Sequence, residues 1–145
     1  MDEPSDPFQF QRFLEAQQQQ TYDTALTELQ AGAKQSHWMW FIFPQLAGLG
    51  RSPTAIFYGI RSLHEARAFL AHPLLGERYR KCVRALSGWA GSKGAAEILG
   101  DIDAMKLRSS LTLFENASGD PLFAAALEAF FGGPDEATLQ LLRRS

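Results

Sequence analysis

An all-α fold, a single bundle of about seven or eight short helices, is what the sequence predicts, and three observations carry the prediction. Four of the seven prolines follow a residue suited to start a helix: Asp6-Pro7, Ser52-Pro53, His72-Pro73 and Asp120-Pro121. Proline fits the first helical turn because its missing N–H would have no partner there, and Asp or Ser before it accepts from the open amides. Apolar residues recur at helical spacing along the chain. No segment sustains the period-two alternation of a half-buried strand.

Each element has its own justification. Phe10, Phe13, Leu14 and Gln17 mark a first helix, with Gln17–Gln20 as its polar end. Tyr22, Ala25, Leu26 and Leu29 mark a second, stopped by Gly32. The run His37–Pro44 is ambiguous: its β-branched and aromatic content suits a buried strand, but a lone strand has nothing to pair with. Ser36 is placed to cap a short helix, so a short helix or turn through the core is expected. Gln45–Ser52, with Gly48 and Gly50, is a loop. Ser62-Leu63-His64-Glu65 fits the capping box, and Ala66, Phe69 and Leu70 continue its buried face. After Pro73, a stripe of Leu75, Tyr79, Cys82, Val83 and Leu86 follows. Met105, Ser109, Thr112 and Leu113 mark a helix opened by Asp101 or Asp103. Leu122, Phe123, Ala126, Leu127 and Phe130 mark the next, closed by Gly132-Gly133, and Leu139 and Leu142 sit on a last short one. Residues 6–142 are expected to form one helical domain and residues 1–5 a disordered N-terminus.

Composition excludes several classes. A chain of 145 residues with 46% apolar and 21% charged residues has the balance of one globular domain. Its one cysteine, Cys82, forbids an internal disulfide and any multi-cysteine zinc site, and lies on an apolar stripe that favours an inert thiol. The histidines His37, His64 and His72 have no metal-ligand spacing, so neither a metal nor a cofactor is expected. A net charge of -2 argues against a nucleic-acid partner, and the basic group Arg78, Arg80, Lys81 and Arg84 suits a solvated helix face. No apolar run reaches the roughly 20 residues of a membrane helix, and the acidic, proline-broken start is no signal peptide, which points to the cytoplasm. The phosphate loop GxxxxGK[ST], the dinucleotide turn GxGxxG and the nucleophile elbow GxSxG are missing from the chain. Oligomeric state is not legible.

Two stretches have the residues for chemistry. Lys34, Ser36, His37, Gln45, Arg51 and Ser52 surround the aromatic run Trp38, Trp40, Phe41 and Phe43. An apolar wall with a few polar groups is how small-molecule pockets are built. Trp38 and Trp40 would stack on a flat ring, Lys34 or Arg51 would meet a phosphate or carboxylate, and His37 would act as general acid or base. The competing reading makes the aromatics core and the cations solvated. In the second stretch, Asp103, Lys106 and Ser110 share a helical face, with Arg108 and Ser109 beside it. That is either an acid–base couple or an ordinary i, i+3 ion pair. Glu65 is the further carboxylate open to both a capping and a site role.

The strings Lys34-Gln35-Ser36-His37-Trp38-Met39-Trp40-Phe41-Ile42-Phe43-Pro44-Gln45 and Gly48-Leu49-Gly50-Arg51-Ser52 resemble the signature of domain-of-unknown-function family 1810. The resemblance continues through Ser62–Arg67, His72–Gly76 and Lys106–Phe114 to Phe130–Gly133 and Thr138-Leu139; Leu111 departs from the methionine common there. It covers about residues 6–142 and implies a compact all-α domain of the kind first seen in a mycobacterial member, with no established activity. Some bacterial members carry the label calpastatin, which does not fit, because such inhibitors are long disordered chains and this composition folds. A fainter similarity joins the order of elements in Met105–Leu127 to the NADAR families, N-glycosidases and enzymes that remove ADP-ribose from bases.

Two function classes follow. In one, the chain is an enzyme or pocket protein for a nucleotide, NAD- or ADP-ribose-like small molecule, with His37, Glu65, Asp103 and Lys106 as catalytic candidates. Lys34, Ser36, Trp38, Trp40, Gln45, Arg51, Ser52 and Ser109 are its ligand-binding candidates. N-glycosidic hydrolysis would need an acid for the leaving base and a carboxylate near the oxocarbenium. In the other, the 36–52 segment anchors a protein or ligand without catalysis. A purely structural motif fixing a tight chain reversal is the third reading.

Overall fold

Ten helices form along residues 6–144, the part of the chain that the computed structural model describes. In chain order they are α1 (Gln11–Ala16), α2 (Thr21–Ala31), α3 (Met39–Ile42), α4 (Pro53–Tyr58), α5 (Leu63–Ala71), α6 (Leu75–Ser87), α7 (Ala95–Leu99), α8 (Asp101–Ser118), α9 (Pro121–Phe131) and α10 (Glu136–Arg143). The fold is all-α. The expected disorder of residues 1–5 lies outside the described residues. The helix count exceeds the expected seven or eight because α3 and α7 are pieces of four and five residues, too short to show a period. Among the described residues the extended pairing is a single parallel bridge, Leu46 to Ile60, which pins the 45–52 loop.

Several helix starts differ from the proline reading. Pro7 lies in a turn, and the Asp6 carboxylate reaches past it to accept from the Phe10 and Gln11 amides at 2.7 and 3.0 Å. His72 Nδ1 accepts from the Leu74 and Leu75 amides at 3.1 and 3.2 Å, so α6 begins beyond Pro73. Gly100 opens α8 with no side-chain cap, and Asp101 and Asp103 occupy its first turn, where the helix dipole favours carboxylates. Ser52, Ser62 and Asp120 do cap α4, α5 and α9. The capping-box arm of Glu65 goes to the Arg61 amide, one residue before the cap.

Helix α8 runs through the core. Leu107, Leu111, Leu113 and Phe114 on it are buried, and it packs against α5, α7, α9 and α10. Phe114 meets Phe69 and Tyr79 with ring centroids 5.2 and 4.4 Å apart. The buried polar residues of α8 all have partners. Ser110 bonds the Tyr79 hydroxyl at 2.8 Å, and burial pushes that phenol up. Ser109 Oγ donates to Asp135, the cap of α10, while the Asp135 amide donates to Thr112 Oγ1. Cys82 is buried on α6 and its thiol is pushed up to about 12, which keeps it protonated and inert.

Two close approaches fix the outer helices. At Gly32, φ +71, a Cβ would stand 2.8 Å from the Trp89 ring, whose indole N–H donates to Leu29 O at 3.0 Å. Lys93 Nζ donates to Gly32 O at 3.0 Å beside it. At Gly76 a Cβ would stand 2.0 Å from Leu70 O, so α6 begins flush against the end of α5.

Candidate functional site

The turn after α2 is organised by a carboxylate. Glu28 Oε1 accepts from the Gln35 amide (2.8 Å), the Ser36 amide (2.9 Å) and the Trp38 indole (2.9 Å). Its Oε2 accepts from Ser36 Oγ at 2.6 Å. Burial opposes the charge of Glu28, but these four hydrogen bonds outweigh it and hold the carboxyl at about 2, below its ordinary 4.5. The Lys34 amide donates to Ile98 O at 2.8 Å, tying the same turn to α7. Ser36 is thereby spent on Glu28 and does not cap α3, whose N-cap is Trp38.

That turn delivers Lys34 to the start of α8. Lys34 Nζ lies 2.9 Å from Asp103 Oδ2, and Lys106 Nζ lies 3.4 Å from Asp103 Oδ1. Each ammonium also covers an indole: Lys34 stands 5.1 Å from the Trp38 ring centroid and Lys106 stands 3.8 Å from that of Trp40. Both contacts are within cation–π range. The Lys34 side chain is 9% exposed and those of Asp103 and Lys106 are 19% exposed. Two ammonium groups against one carboxylate leave a single positive charge. A shallow open depression of about 510 Å³, lined by Leu99–Asp103, adjoins the cluster.

The other sequence candidates lie elsewhere or serve the fold. Trp38 is 1% exposed with its N–H spent on Glu28, so the aromatic surface that remains for a ligand is that of half-buried Trp40. His37 is exposed on the turn that carries Lys34. Gln45 is held through its carbonyl by the Ile60 amide, and Arg51 is exposed. Ser52 caps α4 through the Ala55 amide at 3.1 Å, and Ser109 supports the cap of α10. Glu65 stands apart from the lysine cluster, 3% exposed, paired with Arg12 at 2.9 Å. Sequence reasoning missed Glu28 and Arg12, whose partners lie across turns or in other helices.

The chain matches the model of a family described as protein of unknown function, DUF1810, over residues 7–142. It belongs to the DUF1810 family. This DUF1810 chain is similar to a conserved hypothetical protein, Rv1873, from Mycobacterium tuberculosis, whose crystal structure is solved at 1.38 Å. The two share 46% identity over 95% of this chain and 99% of that one, with a TM-score of 0.90. No curated protein matches. Among the described residues no helix is long and apolar enough to cross a membrane, and no His, Cys, Asp and Glu cluster could hold a metal ion.

Glu28→Ala is expected to destabilise the fold by about 2 kcal/mol at neutral pH, since hydrogen bonds to a charged group are the stronger kind. Because the folded value is depressed, the contribution of Glu28 is fully present above 4.5 and is lost as pH falls toward about 2. Urea melts of wild type and variant should therefore converge across that window. Curves that stay parallel would show that the carboxylate does not hold the turn.

Proposed function

We propose that this DUF1810 chain holds a small anionic ligand of nucleotide, NAD or ADP-ribose type where Lys34, Asp103, Lys106 and Trp40 meet. The observation that supports the reading is the convergence of Lys34 and Lys106 on the two oxygens of one carboxylate. The surplus positive charge suits a phosphate, Asp103 suits ribose hydroxyls as an acceptor, and Trp40 suits a flat base. The adjoining depression, lined by Asp101 as well as Asp103, gives room for the hydroxyl-bearing part of such a molecule, with the phosphate on the lysine side. N-glycosidic cleavage there would need an acid besides Asp103, and His37, exposed on the turn that carries Lys34, is the candidate; Glu65 is occupied by Arg12.

A second reading, docking of a protein partner, draws support from Ile102 and Met105, which are 73% and 71% exposed on the first turns of α8. Calorimetric titration with ADP-ribose, NAD, nucleoside phosphates and free bases separates the two. Binding weakened about tenfold in both Lys106→Ala and Trp40→Ala is the expected result, each variant losing one polar or stacking contact. Folded variants that bind as wild type does, or a panel with no binder, would overturn the ligand reading. Any binder then goes to an assay for free base or ribose product.

A further inference from the structure

The Lys34–Asp103–Lys106 cluster and the depression beside it differ in charge. The cluster holds two ammonium groups, while the depression is lined by Leu99, Gly100, Asp101, Ile102 and Asp103, with no cation among them. Asp101 is exposed, and among the described residues it enters no ion pair. Asp103 gives one oxygen to each lysine, and each of those oxygens keeps a further lone pair for a second donor. A group lying in the depression therefore meets one carboxylate with no counter-charge and one that still accepts.

Donors are present as well. Gly100 opens α8 with no side-chain cap, so the first amides of this helix have no side-chain acceptor. The helix terminus contributes about half a positive charge, against two full carboxylates, Asp101 and Asp103, on its first turn. The carboxylates outweigh it, so a phosphate is repelled from the depression even though the amides could donate to it. A hydroxyl suits both sets, because it donates to a carboxylate and accepts from an amide. A carboxylate is also the acceptor that dinucleotide sites use for a ribose 2′-hydroxyl, and like charge bars a phosphate from the same place. Ile102, 73% exposed, supplies an apolar edge for the carbon face of the sugar.

We infer that the depression is a ribose subsite that selects a free 2′-hydroxyl and rejects a 2′-phosphate, with Asp101 as the discriminating residue. The inference rests on the reading of the lysine cluster as a phosphate site, and it narrows the ligand class to ribosyl phosphates unsubstituted at the 2′ position. The 2′-hydroxyl donates to Asp101 and the 3′-hydroxyl to the remaining lone pair of Asp103, while the phosphate meets Lys106 and Lys34. NAD is then preferred over its 2′-phosphorylated form.

The test is calorimetric titration of the full chain with three probes that each hold a single ribose: AMP, 2′-deoxy-AMP and adenosine 2′,5′-bisphosphate. The expected result is saturable binding of AMP, with each of the other two at least about tenfold weaker, the deoxy form through a lost hydrogen bond to a charged group and the bisphosphate through repulsion. Asp101→Asn keeps an acceptor and removes the charge. It should cut the preference for AMP over the bisphosphate about tenfold, whereas Lys106→Ala should weaken both ligands alike. Asp101 is exposed, so its variant keeps the fold. AMP binding that Lys106→Ala weakens, combined with equal affinity for either analogue or a preference that Asp101→Asn leaves unchanged, would overturn the ribose subsite and leave the phosphate reading standing. No saturable AMP binding, or AMP binding indifferent to Lys106→Ala, would overturn both.

Discussion

Glu65→Ala should cost the fold about 3–5 kcal/mol, the range found when one partner of a buried ion pair is removed. Glu65 is 3% exposed and accepts from Arg12 at 2.9 Å and from the Arg61 amide at 3.1 Å. Without it, a guanidinium 10% exposed stays in place with no counter-charge, fixed there by the carbonyls of Phe8, Gln9 and Gly59. Arg12→Met strands the carboxylate and should cost a similar amount. The double variant Arg12→Met, Glu65→Leu removes both charges together and should cost well below the sum of the singles. Urea unfolding of all four proteins gives the coupling directly. A loss below about 1 kcal/mol for Glu65→Ala would put the pair in the class of exposed surface bridges.

Gly76→Ala is the second substitution with a large effect, at least about 3 kcal/mol, beyond the usual penalty for overpacking. A Cβ at residue 76 would stand 2.0 Å from Leu70 O and 2.7 Å from Leu70 C, both backbone atoms of α5. No side chain there can rotate aside, so α5 and α6 must part. Gly88→Ala is the control: at φ -61, ψ -20 and with Ala85 O 3.4 Å from the added carbon, it should be neutral or stabilise by about 0.5 kcal/mol. Thermal melts of the two variants should therefore move apart, and equal shifts would mean that the α5–α6 junction yields.

The fold was legible where its signals are local. Ser52, Ser62 and Asp120 cap helices that their neighbours announce, and Gly32 and Gly132 end helices in the left-handed conformation that favours glycine. The starts of α1 and α6 were misplaced because Asp6 and His72 reach over a turn before meeting their amides. Gln17, which reads as part of a polar helix end, is 4% exposed: its amide donates to Phe41 O and accepts from Arg78, two partners that only the folded chain supplies.

The lysine cluster was legible in chemistry and not in geometry. The i, i+3 spacing puts Lys106 on Asp103, but nothing local brings Lys34 to the same carboxylate from the far side of five helices. Glu28 was invisible because its partners lie seven to ten residues onward, through a turn with no regular repeat. His37, Gln45 and Arg51 were named for their side-chain types, and the fold leaves His37, on the turn after α2, and Arg51, on the 45–52 loop, facing solvent.

The closure of α2 by Trp89 and Lys93 has a consequence for how the chain is made. Both partners lie about sixty residues downstream of the carbonyls they meet. A helix of eleven residues does not hold by itself in water. As synthesis proceeds, α2 therefore leaves the ribosome with its last turn open and its apolar face bare. It stays so until Lys93 has cleared the exit tunnel. A nascent chain stalled short of that residue offers chaperones and proteases the same leucines that the finished protein hides.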